Sequence, residues 1–219
     1  MIKVLHFDKQ IIVCEKPSGI LSQADSSGSK NLPEMLKKET NSYYVEAVHR
    51  LDKPVGGVMV YARSKPAAGI LSTAVKNREM DKEYLAVVHG KPDADKGTMK
   101  DFLFRDAKHC KSYVVKSERK GAKEAILHYE VLESITRGDE VFSLVKIRLE
   151  TGRTHQIRVQ FSSRQMPLVG DERYGGAADK CAIALFSHKI AFSHPKTREK
   201  MEFSLLPPKT FPWNKFKIY

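Results

Sequence analysis

The sequence predicts a mixed α+β fold, built on a largely antiparallel central β-sheet with flanking helices. Three observations support this class. Apolar runs of strand length dominate the chain, only two or three helical patterns are interspersed among them, and several neighbouring strand candidates are joined by short turns. Short connections suit antiparallel neighbours, whereas a doubly wound parallel sheet needs a long crossover between successive strands.

Two helices are predicted from the residues that begin them. Asn31 precedes Pro33, and Ser64 precedes Pro66, with apolar residues at helical spacing after each pair. Asn and Ser side chains accept hydrogen bonds from first-turn N–H groups, and Pro fits the first turn because its missing N–H has no helical partner there. Each pair therefore predicts the start of a helix.

Strands are predicted from apolar runs and from the alternation of apolar with polar residues. The segment 154–161 alternates in this way, which would place Arg158 on the opposite face from Ile157. The polar, lysine-rich residues 91–124 predict a small hairpin outside the main sheet. The other strand candidates are 10–15, 57–62, 83–88, 125–131 and 145–149, and 182–187 fits either a helix or a strand. Irregular structure is predicted at 49–54, 170–176, the turn at 194–195, and the tail over 207–219.

The overall charge is strongly basic. Thirty-eight Lys and Arg stand against 26 Asp and Glu, a formal net charge of +12. Because no basic amphipathic helix stands out, the charge favours nucleic acid over an anionic membrane as the partner. The N-terminus lacks the pattern of a secretory signal, no apolar run is long enough to span a bilayer, and three widely spaced cysteines predict no disulfide framework. We therefore expect a cytoplasmic protein.

Two dense polar segments carry the chemistry that the sequence offers. His49-Arg50-Leu51-Asp52-Lys53-Pro54 sets one carboxylate between cations before a turn, and Thr151-Gly152-Arg153-Thr154-His155-Gln156-Ile157-Arg158 follows about a hundred residues later. Taken singly, each residue fits an ordinary structural role. Jointly they stand at sheet turns of an otherwise regular chain, where local departures from pattern often mark function. An acid in a basic setting suggests a carboxylate that acts on an anionic polymer.

Three other chemistries do not fit. A kinase catalytic loop places Asp directly after Arg, whereas Leu51 separates Arg50 from Asp52. The sequence contains no phosphate-binding Gly-x-x-x-x-Gly-Lys motif. Its eight histidines show no paired spacing of the kind that holds zinc.

Five segments, in order, resemble the signature segments of RluA-type RNA pseudouridine synthases. The three strongest are His49–Gly57, Gly152–Arg158 and Val169–Gly175; Lys82–Gly90 resembles that family's tyrosine-bearing strand, and Lys16–Gly19 its N-terminal strand-turn. Several ordered motifs are specific, although any one alone would be weak. The resemblance implies the pseudouridine synthase catalytic-domain fold and an enzyme that isomerises uridine to pseudouridine in RNA. It implies no cofactor and no metal.

The resemblance also implies catalytic roles for three residues. Asp52 matches the essential carboxylate, which acts either as a nucleophile or as a base that removes the C2′ proton. Arg153 matches the ion-pair partner that keeps this carboxylate ionised and oriented. Tyr84 matches the active-site tyrosine, whose ring stacks on the uracil and whose hydroxyl could assist proton transfer.

RNA contacts are implied for a further group of residues. Because the target base must leave its helix, Arg50 would insert into the vacated stack, for which a planar guanidinium is suited. The other residues that we expect to contact RNA are His49, Lys53, His155 and Arg158.

Some questions stay open at this stage. Val55-Gly56 stands where the family often has Thr-Ser, which removes no catalytic group. We expect residues 1–219 to form a single catalytic domain without an appended S4-type RNA-binding domain, and we expect a monomer. We expect the substrate to be ribosomal or transfer RNA, and the sequence does not decide between them. The main alternative is a catalytically inactive RNA-binding protein that retains the fold; a nuclease is less favoured because its metal-binding acids or His pair are missing from the sequence.

Overall fold

The computed structural model describes residues 1–116, 119–176 and 179–218. Two sequence expectations therefore fall partly outside the described residues. The hairpin region 91–124 includes positions 117 and 118, and the predicted tail ends at Tyr219.

The chain divides into two compact units, each described by itself below. The first comprises Met1–Lys82 and Phe186–Pro207, and the second comprises Glu83–Leu185 and Pro208–Tyr219. Along the described chain the elements are β1 (Val4–Phe7), β2 (Ile11–Lys16), α1 (Leu32–Thr40), β3 (Glu46–Ala47), β4 (Gly56–Ala62), α2 (Lys65–Lys76), β5 (Asp81–His89), β6 (Lys96–Asp106), β7 (Lys111–Val115), β8 (Ala122–Arg137), β9 (Glu140–Leu149), α3 (Gln156–Ser162), β10 (Leu185–Ser193), β11 (Lys200–Ser204) and a 3-10 turn at Trp213–Lys215.

Strand β4 is the central strand of the first unit. The strand order there is β1-β2-β4-β10, with β3 also paired to β4 and β11 to β10. Every residue of β4 is buried, as its apolar sequence predicts. The β4–β10 pairing is parallel, through Phe186 opposite Gly56 and Ser187 opposite Gly57. The other described pairings in this unit are antiparallel.

Both predicted helix starts are confirmed. The Asn31 side-chain oxygen accepts a hydrogen bond from the Glu34 N–H at 3.1 Å, and the Ser64 hydroxyl accepts one from the Ala67 N–H at 3.3 Å. A proline follows each cap in the first turn. Both helices belong to the first unit, where α1 buries Leu32 and Leu36.

The second unit is an antiparallel sheet in the order β5-β9-β8-β6-β7. Strand β8, sixteen residues long, pairs with both β9 and β6. Strands β6 and β7 form a hairpin in the predicted region, but its placement outside the main sheet is wrong, because β6 also pairs with β8. Leu103, Ala125, Val159 and Tyr174 form a buried cluster that brings this sheet together with α3.

The strand predicted over 154–161 is wrong, because residues Gln156–Ser162 form helix α3. All six residues from Gln156 to Phe161 are buried. The alternation of polar and apolar residues suggested a half-exposed strand, yet the polar positions do not face water. Gln160, for example, donates to the Met99 carbonyl at 3.3 Å and to the Asp101 carboxylate at 2.7 Å. The interior therefore supplies hydrogen-bond partners to polar side chains of this helix, which a strand pattern cannot reveal.

The predicted fold class, a mixed and mostly antiparallel sheet with helices, is confirmed. The segment 182–187, which fitted either type of element, enters strand β10 at Leu185. The expectation of a single catalytic domain stays a prediction. Among the described residues, no helix combines the length and the apolar composition that crossing a bilayer requires.

Gly57 provides a test of the β4–β10 pairing. Its φ is +123°, and an added Cβ would lie less than 3.0 Å from backbone atoms of Ser187. We expect Gly57→Ala to lower the free energy of unfolding by about 3 kcal/mol or more, because strained φ and backbone overlap add. Denaturant unfolding measures the change.

Gly69→Ala is the matched control, because Gly69 lies on the exposed face of α2, away from the helix ends. An added Cβ there would meet no described atom within 4 Å other than those of its chain neighbours and the backbone of the helix itself. The free energy of unfolding of that variant should rise by about 1 kcal/mol, because Ala has a higher helix propensity than Gly. Equal stability of the two variants would contradict the close strand approach at Gly57.

Candidate active site

The Asp52 loop, residues 49–55, runs between β3 and β4 in the first unit. It ends in a turn in which the Asp52 carbonyl accepts a hydrogen bond from the Val55 N–H at 3.0 Å. Pro54 lies inside this turn and restricts its backbone. The Asp52 side chain is half-buried, whereas the neighbouring Arg50 and Lys53 are exposed.

A buried lysine holds the backbone of this loop. Lys16, at the end of β2, has 0% exposed surface. Its ammonium group donates to three carbonyl oxygens, those of Pro17 at 3.0 Å, Lys53 at 3.1 Å and Val55 at 2.7 Å. An ammonium group carries three N–H donors, so these three acceptors satisfy it fully. The carbonyls before and after Pro54 are thereby fixed by one side chain.

The electrostatics of Lys16 link it to Asp52. Burial lowers the pKa of Lys16 to about 8, and the charge of Asp52 opposes this shift by raising it. At neutral pH, Lys16 is therefore protonated in most of the molecules. The charge of Asp52 is thus part of the electrostatic environment of the ammonium group.

Three more contacts from the segment after β2 support the loop. The Ser18 hydroxyl donates to the Pro54 carbonyl at 2.7 Å, and the Gly19 N–H donates to the Lys53 carbonyl at 2.8 Å. The buried Ser22 hydroxyl donates to the Leu51 carbonyl at 3.0 Å. The strand-turn at Lys16–Gly19 and the Asp52 loop are thus one hydrogen-bonded structure.

The Val55-Gly56 departure from the family pattern fits this structure. The hydrogen bond from Lys16 to the Val55 carbonyl is the shortest of the three. It involves the backbone of residue 55 and not its side chain. A Cβ at Gly56 would lie 3.3 Å from the Lys16 carbonyl, so a small residue suits the close approach of β2. The three hydrogen bonds of Lys16 are therefore compatible with Val55-Gly56 at these positions.

His49 lies inside the protein, with 8% of its surface exposed. Its Nε2 accepts a hydrogen bond from the Val60 N–H at 3.3 Å, so Nδ1 carries the proton of the neutral ring. Burial, together with the nearby charge of Lys82, lowers the pKa of His49 to about 3. A neutral, buried ring supports the loop from β4, and its position does not favour a direct phosphate contact.

The second unit carries Tyr84 on β5, opposite Ile147 of β9. The residue is buried, with 6% of its surface exposed. The antiparallel pairing with β9 fixes the backbone at Tyr84.

Arg153 lies on the exposed turn between β9 and α3. Its Nε donates to the Glu124 carbonyl at 2.8 Å. The turn itself is fixed by the Gln156 side chain, whose oxygen accepts from the Arg153 N–H at 3.0 Å and from the Thr151 hydroxyl at 2.8 Å. Gln156 also donates to the Ile126 carbonyl at 3.1 Å, which ties the turn to β8.

His155 and Arg158 meet at Tyr174. His155 has a φ of +55°, and its Nδ1 is 2.9 Å from the Tyr174 hydroxyl. The Arg158 guanidinium lies 5.2 Å from the centre of the Tyr174 ring. It also forms a two-point ion pair with Asp171, with both distances 2.8 Å and both side chains buried. This placement differs from the expected RNA contact of Arg158.

The predicted residues thus fall into two groups. His49, Arg50, Asp52 and Lys53 share one loop of the first unit. Tyr84, Arg153, His155 and Arg158 lie in the second unit, so the pairing of Asp52 with Arg153 and Tyr84 stays a prediction.

Sequence reasoning assigned no role to three residues that the structure makes central: Lys16, Asp171 and Tyr174. All three lie in segments that showed the family resemblance, and that was the signal available. Among the described residues, no cluster of three or more His, Cys, Asp or Glu side chains could hold a metal ion.

Comparison with known proteins defines the family. The sequence model described as RNA pseudouridylate synthase matches residues 10–163. An uncharacterized RNA pseudouridine synthase of Bacillus subtilis, YhcT, is 33% identical over 202 residues, covering 90% of this chain and 65% of that protein. Ribosomal large subunit pseudouridine synthase D of Borreliella burgdorferi is 31% identical over 219 residues, covering 94% of this chain and 65% of that protein. The chain belongs to the RNA pseudouridylate synthase family. It spans about two thirds of the length of these two relatives.

Solved structures support the fold. Human RNA pseudouridylate synthase domain containing 1 superposes with a TM-score of 0.81 at 24% identity, covering 97% of this chain and 85% of that one. Human RNA pseudouridylate synthase domain containing 4 gives a TM-score of 0.76 at 23% identity, covering 94% and 89%.

The buried His49 ring predicts a pH dependence of stability. An unfolded histidine titrates near 6.5 and the folded one near 3, so between these values the unfolded chain binds more protons. The free energy of unfolding should therefore fall as pH drops below 6.5, by up to about 1.4 kcal/mol per pH unit from this residue. Denaturant unfolding between pH 7 and pH 5 measures the slope.

His49→Gln should flatten that slope, because it removes the titrating ring. The exposed His109 provides the control, and His109→Gln should keep the slope of the unmodified chain. An unchanged slope in His49→Gln would show that its burial does not control acid stability.

Proposed function

We propose that this chain isomerises uridine to pseudouridine in RNA, with Asp52 as the essential carboxylate. Family membership supports the reaction class. The observation that carries the assignment of Asp52 is the buried Lys16 ammonium, which fixes the carbonyls of Lys53 and Val55 just after this residue. A buried charge is costly, and an exposed surface turn has no need of one. A loop that must hold a carboxylate in one position does.

The reaction requires an ionised carboxylate. The N-glycosidic bond between N1 and C1′ breaks, the uracil rotates, and a bond forms between C5 and C1′. C5 then loses its proton and N1 gains one, so the product is an isomer of the substrate. Asp52 either attacks as a nucleophile or removes the C2′ proton, and both routes begin from the charged form. The isomerisation has no net oxidation and no leaving group other than the rearranged base.

Arg153 and Tyr84 are the proposed partners of Asp52. The Gln156 and Thr151 contacts give the Arg153 turn a defined backbone, and the Glu124 carbonyl orients its guanidinium through Nε. A guanidinium beside a carboxylate favours the ionised acid and fixes its direction. Tyr84, held in a buried strand, would present its ring to the uracil.

RNA contacts fall to exposed residues in this proposal. Arg50 and Lys53 are exposed beside Asp52, so Arg50 can fill the space left by a flipped base while Lys53 contacts phosphate. His155 is half-buried and anchored by Tyr174. His49 and Arg158 act indirectly, since His49 supports the Asp52 loop and Arg158 supports Tyr174.

The substrate class is proposed from chemistry and from one relative. The name of the Borreliella burgdorferi relative refers to the large ribosomal subunit, which favours ribosomal over transfer RNA for this chain as well. The net charge of +12 suits either polymer. A cytoplasmic location and a monomeric state complete the proposal.

Asp52→Asn tests the central assignment. The substitution keeps the side-chain size and removes the negative charge, so we expect the rate of pseudouridine formation to fall by about 10⁴-fold or more. Release of tritium from C5-labelled uridine in RNA measures the rate, because C5 loses its hydrogen in the reaction.

Asp25→Asn is the matched control, since Asp25 is exposed on a loop of the same unit. It should retain the activity of the unmodified chain. RNA binding without tritium release by the unmodified chain would instead identify an inactive RNA-binding protein.

Arg153→Ala tests the ion-pair role. We expect the reaction rate at saturating RNA to fall by about 100-fold or more, because the carboxylate loses its oriented partner. The Kd for RNA should rise less than about tenfold, since a single cation makes few of the phosphate contacts. Single-turnover rates and equilibrium binding separate the two effects.

Arg105→Ala removes an exposed arginine of β6 and serves as the charge control. It should leave the single-turnover rate unchanged. Matching losses of rate and affinity in Arg153→Ala would indicate a phosphate contact and contradict the ion-pair role.

A further inference from the structure

A cavity of about 350 Å³ opens in the second unit, next to the Arg153 turn. Strand β7 forms one wall, the last turns of α3 form another, and the loop from Arg173 to Gly175 forms the third. We call it the Tyr113 niche, after the aromatic residue at its entrance. None of the described residues that line it is acidic.

The Tyr113 ring offers an exposed aromatic surface. Tyr113 is 42% exposed, and its backbone is fixed by pairing opposite Phe104 in β6. The next residue, Val114, packs inward against the cluster that contains Val159 and Tyr174. The strand therefore holds the ring in place from behind while one part of it stays open to solvent. An exposed aromatic side chain on a rigid strand is a suitable surface on which a nucleobase can stack.

Two cations, Lys111 and Arg173, line the niche together with this ring. The Lys111 ammonium lies 5.8 Å from the centre of the Tyr113 ring and 5.1 Å from that of Tyr174. Arg173, which is exposed, donates from Nη1 to the Cys110 carbonyl. The nearby carboxylate of Asp106 is engaged by His109, through its N–H and its ring Nδ1. The niche therefore combines an aromatic face with positive charge, which is the combination that binds single-stranded nucleic acid.

Hydrogen bonds join the niche to the Arg153 turn. The Ser112 hydroxyl donates to the Thr154 carbonyl at 2.8 Å, and the Ser112 N–H donates to the Tyr174 hydroxyl at 2.8 Å. The same hydroxyl contacts His155 Nδ1. One wall of the niche is thus continuous with the turn that carries Arg153 and His155.

We propose that the Tyr113 niche binds one nucleotide of the RNA that flanks the target uridine. Its base stacks on Tyr113, and its phosphate lies between Lys111 and Arg173. This inference rests on the proposed function and identifies a contact outside the target base. The contact tolerates any base, because stacking requires only an aromatic face and the niche is not lined by an array of side-chain amides that would read base edges.

Binding of a uridine-containing single-stranded RNA of twelve nucleotides to the full chain tests the niche. All variants are made in the Asp52→Asn background, so that the RNA stays unmodified. Tyr113→Leu should weaken binding about 5- to 100-fold without changing the salt dependence, because it removes stacking but no charge. Lys111→Gln and Arg173→Gln should each make the negative slope of log K against log salt less steep by about 0.7, because each removes one phosphate contact.

Tyr113→Phe and Tyr113→Trp should bind as tightly as the parent chain, because both retain an aromatic face. Tyr43→Leu and Lys38→Gln change an exposed tyrosine and an exposed lysine of the first unit, and we expect neither to alter binding. Full affinity in Tyr113→Leu, or an unchanged salt slope in both charge variants, would overturn the niche.

Different measurements would contradict the proposed function and the niche. Loss of the proposed function would appear as no tritium release by the unmodified chain, whatever the affinities. Failure of the niche would appear as normal affinity in Tyr113→Leu, whatever the rates.

Discussion

The buried ammonium of Lys16 is the constraint on which the Asp52 loop depends. Moving an ammonium group out of water costs several kcal/mol, and only a full set of acceptors offsets that cost. Lys16 obtains its set from the backbone on both sides of Pro54 and from Pro17. A loop that moved away would leave a buried charge without partners, so the ground state strongly favours one loop conformation. Asp52, one residue before Lys53 and three before Val55, inherits that rigidity.

A second buried charge organises the other unit by a different route. Arg158 and Asp171 satisfy one another through two hydrogen bonds, and the Tyr174 ring covers the guanidinium. The pair joins α3 to the loop that precedes β10, while Tyr174 carries the constraint onward to His155 and Ser112. Removing either charged partner would leave the other buried without a counter-charge. Arg158 and Asp171 therefore have a structural role in this motif.

The sequence predicted local structure best where the cause was itself local. Asn31 and Ser64 cap helices through contacts three residues away, and β4 is apolar because both of its faces are covered. Helix α3 could not be predicted in this way. Its polar residues find partners on β6, β8 and a distant loop, so exposure could not be inferred from polarity. Similarly, the family resemblance placed Asp52 and Arg153 in motifs, but nothing in those motifs identified the three carbonyls that surround Lys16.

The division between buried and exposed cations changes how the net charge of +12 should be interpreted. Lys16 and Arg158 both lie in motifs that resemble the family, and only Arg158 was expected to contact RNA. Both cations are buried and bonded to internal partners. Under the proposed function, phosphate binding must then rest on the exposed cations of the motifs, such as Arg50, Lys53 and Arg173. Buried cations fix geometry at a desolvation cost and respond weakly to salt, whereas exposed cations supply affinity that salt screens. Under the proposed function, buried cations therefore position the Asp52 carboxylate while exposed cations attract the polyanion. A change in ionic strength then acts mainly on the attraction and much less on the position of the carboxylate.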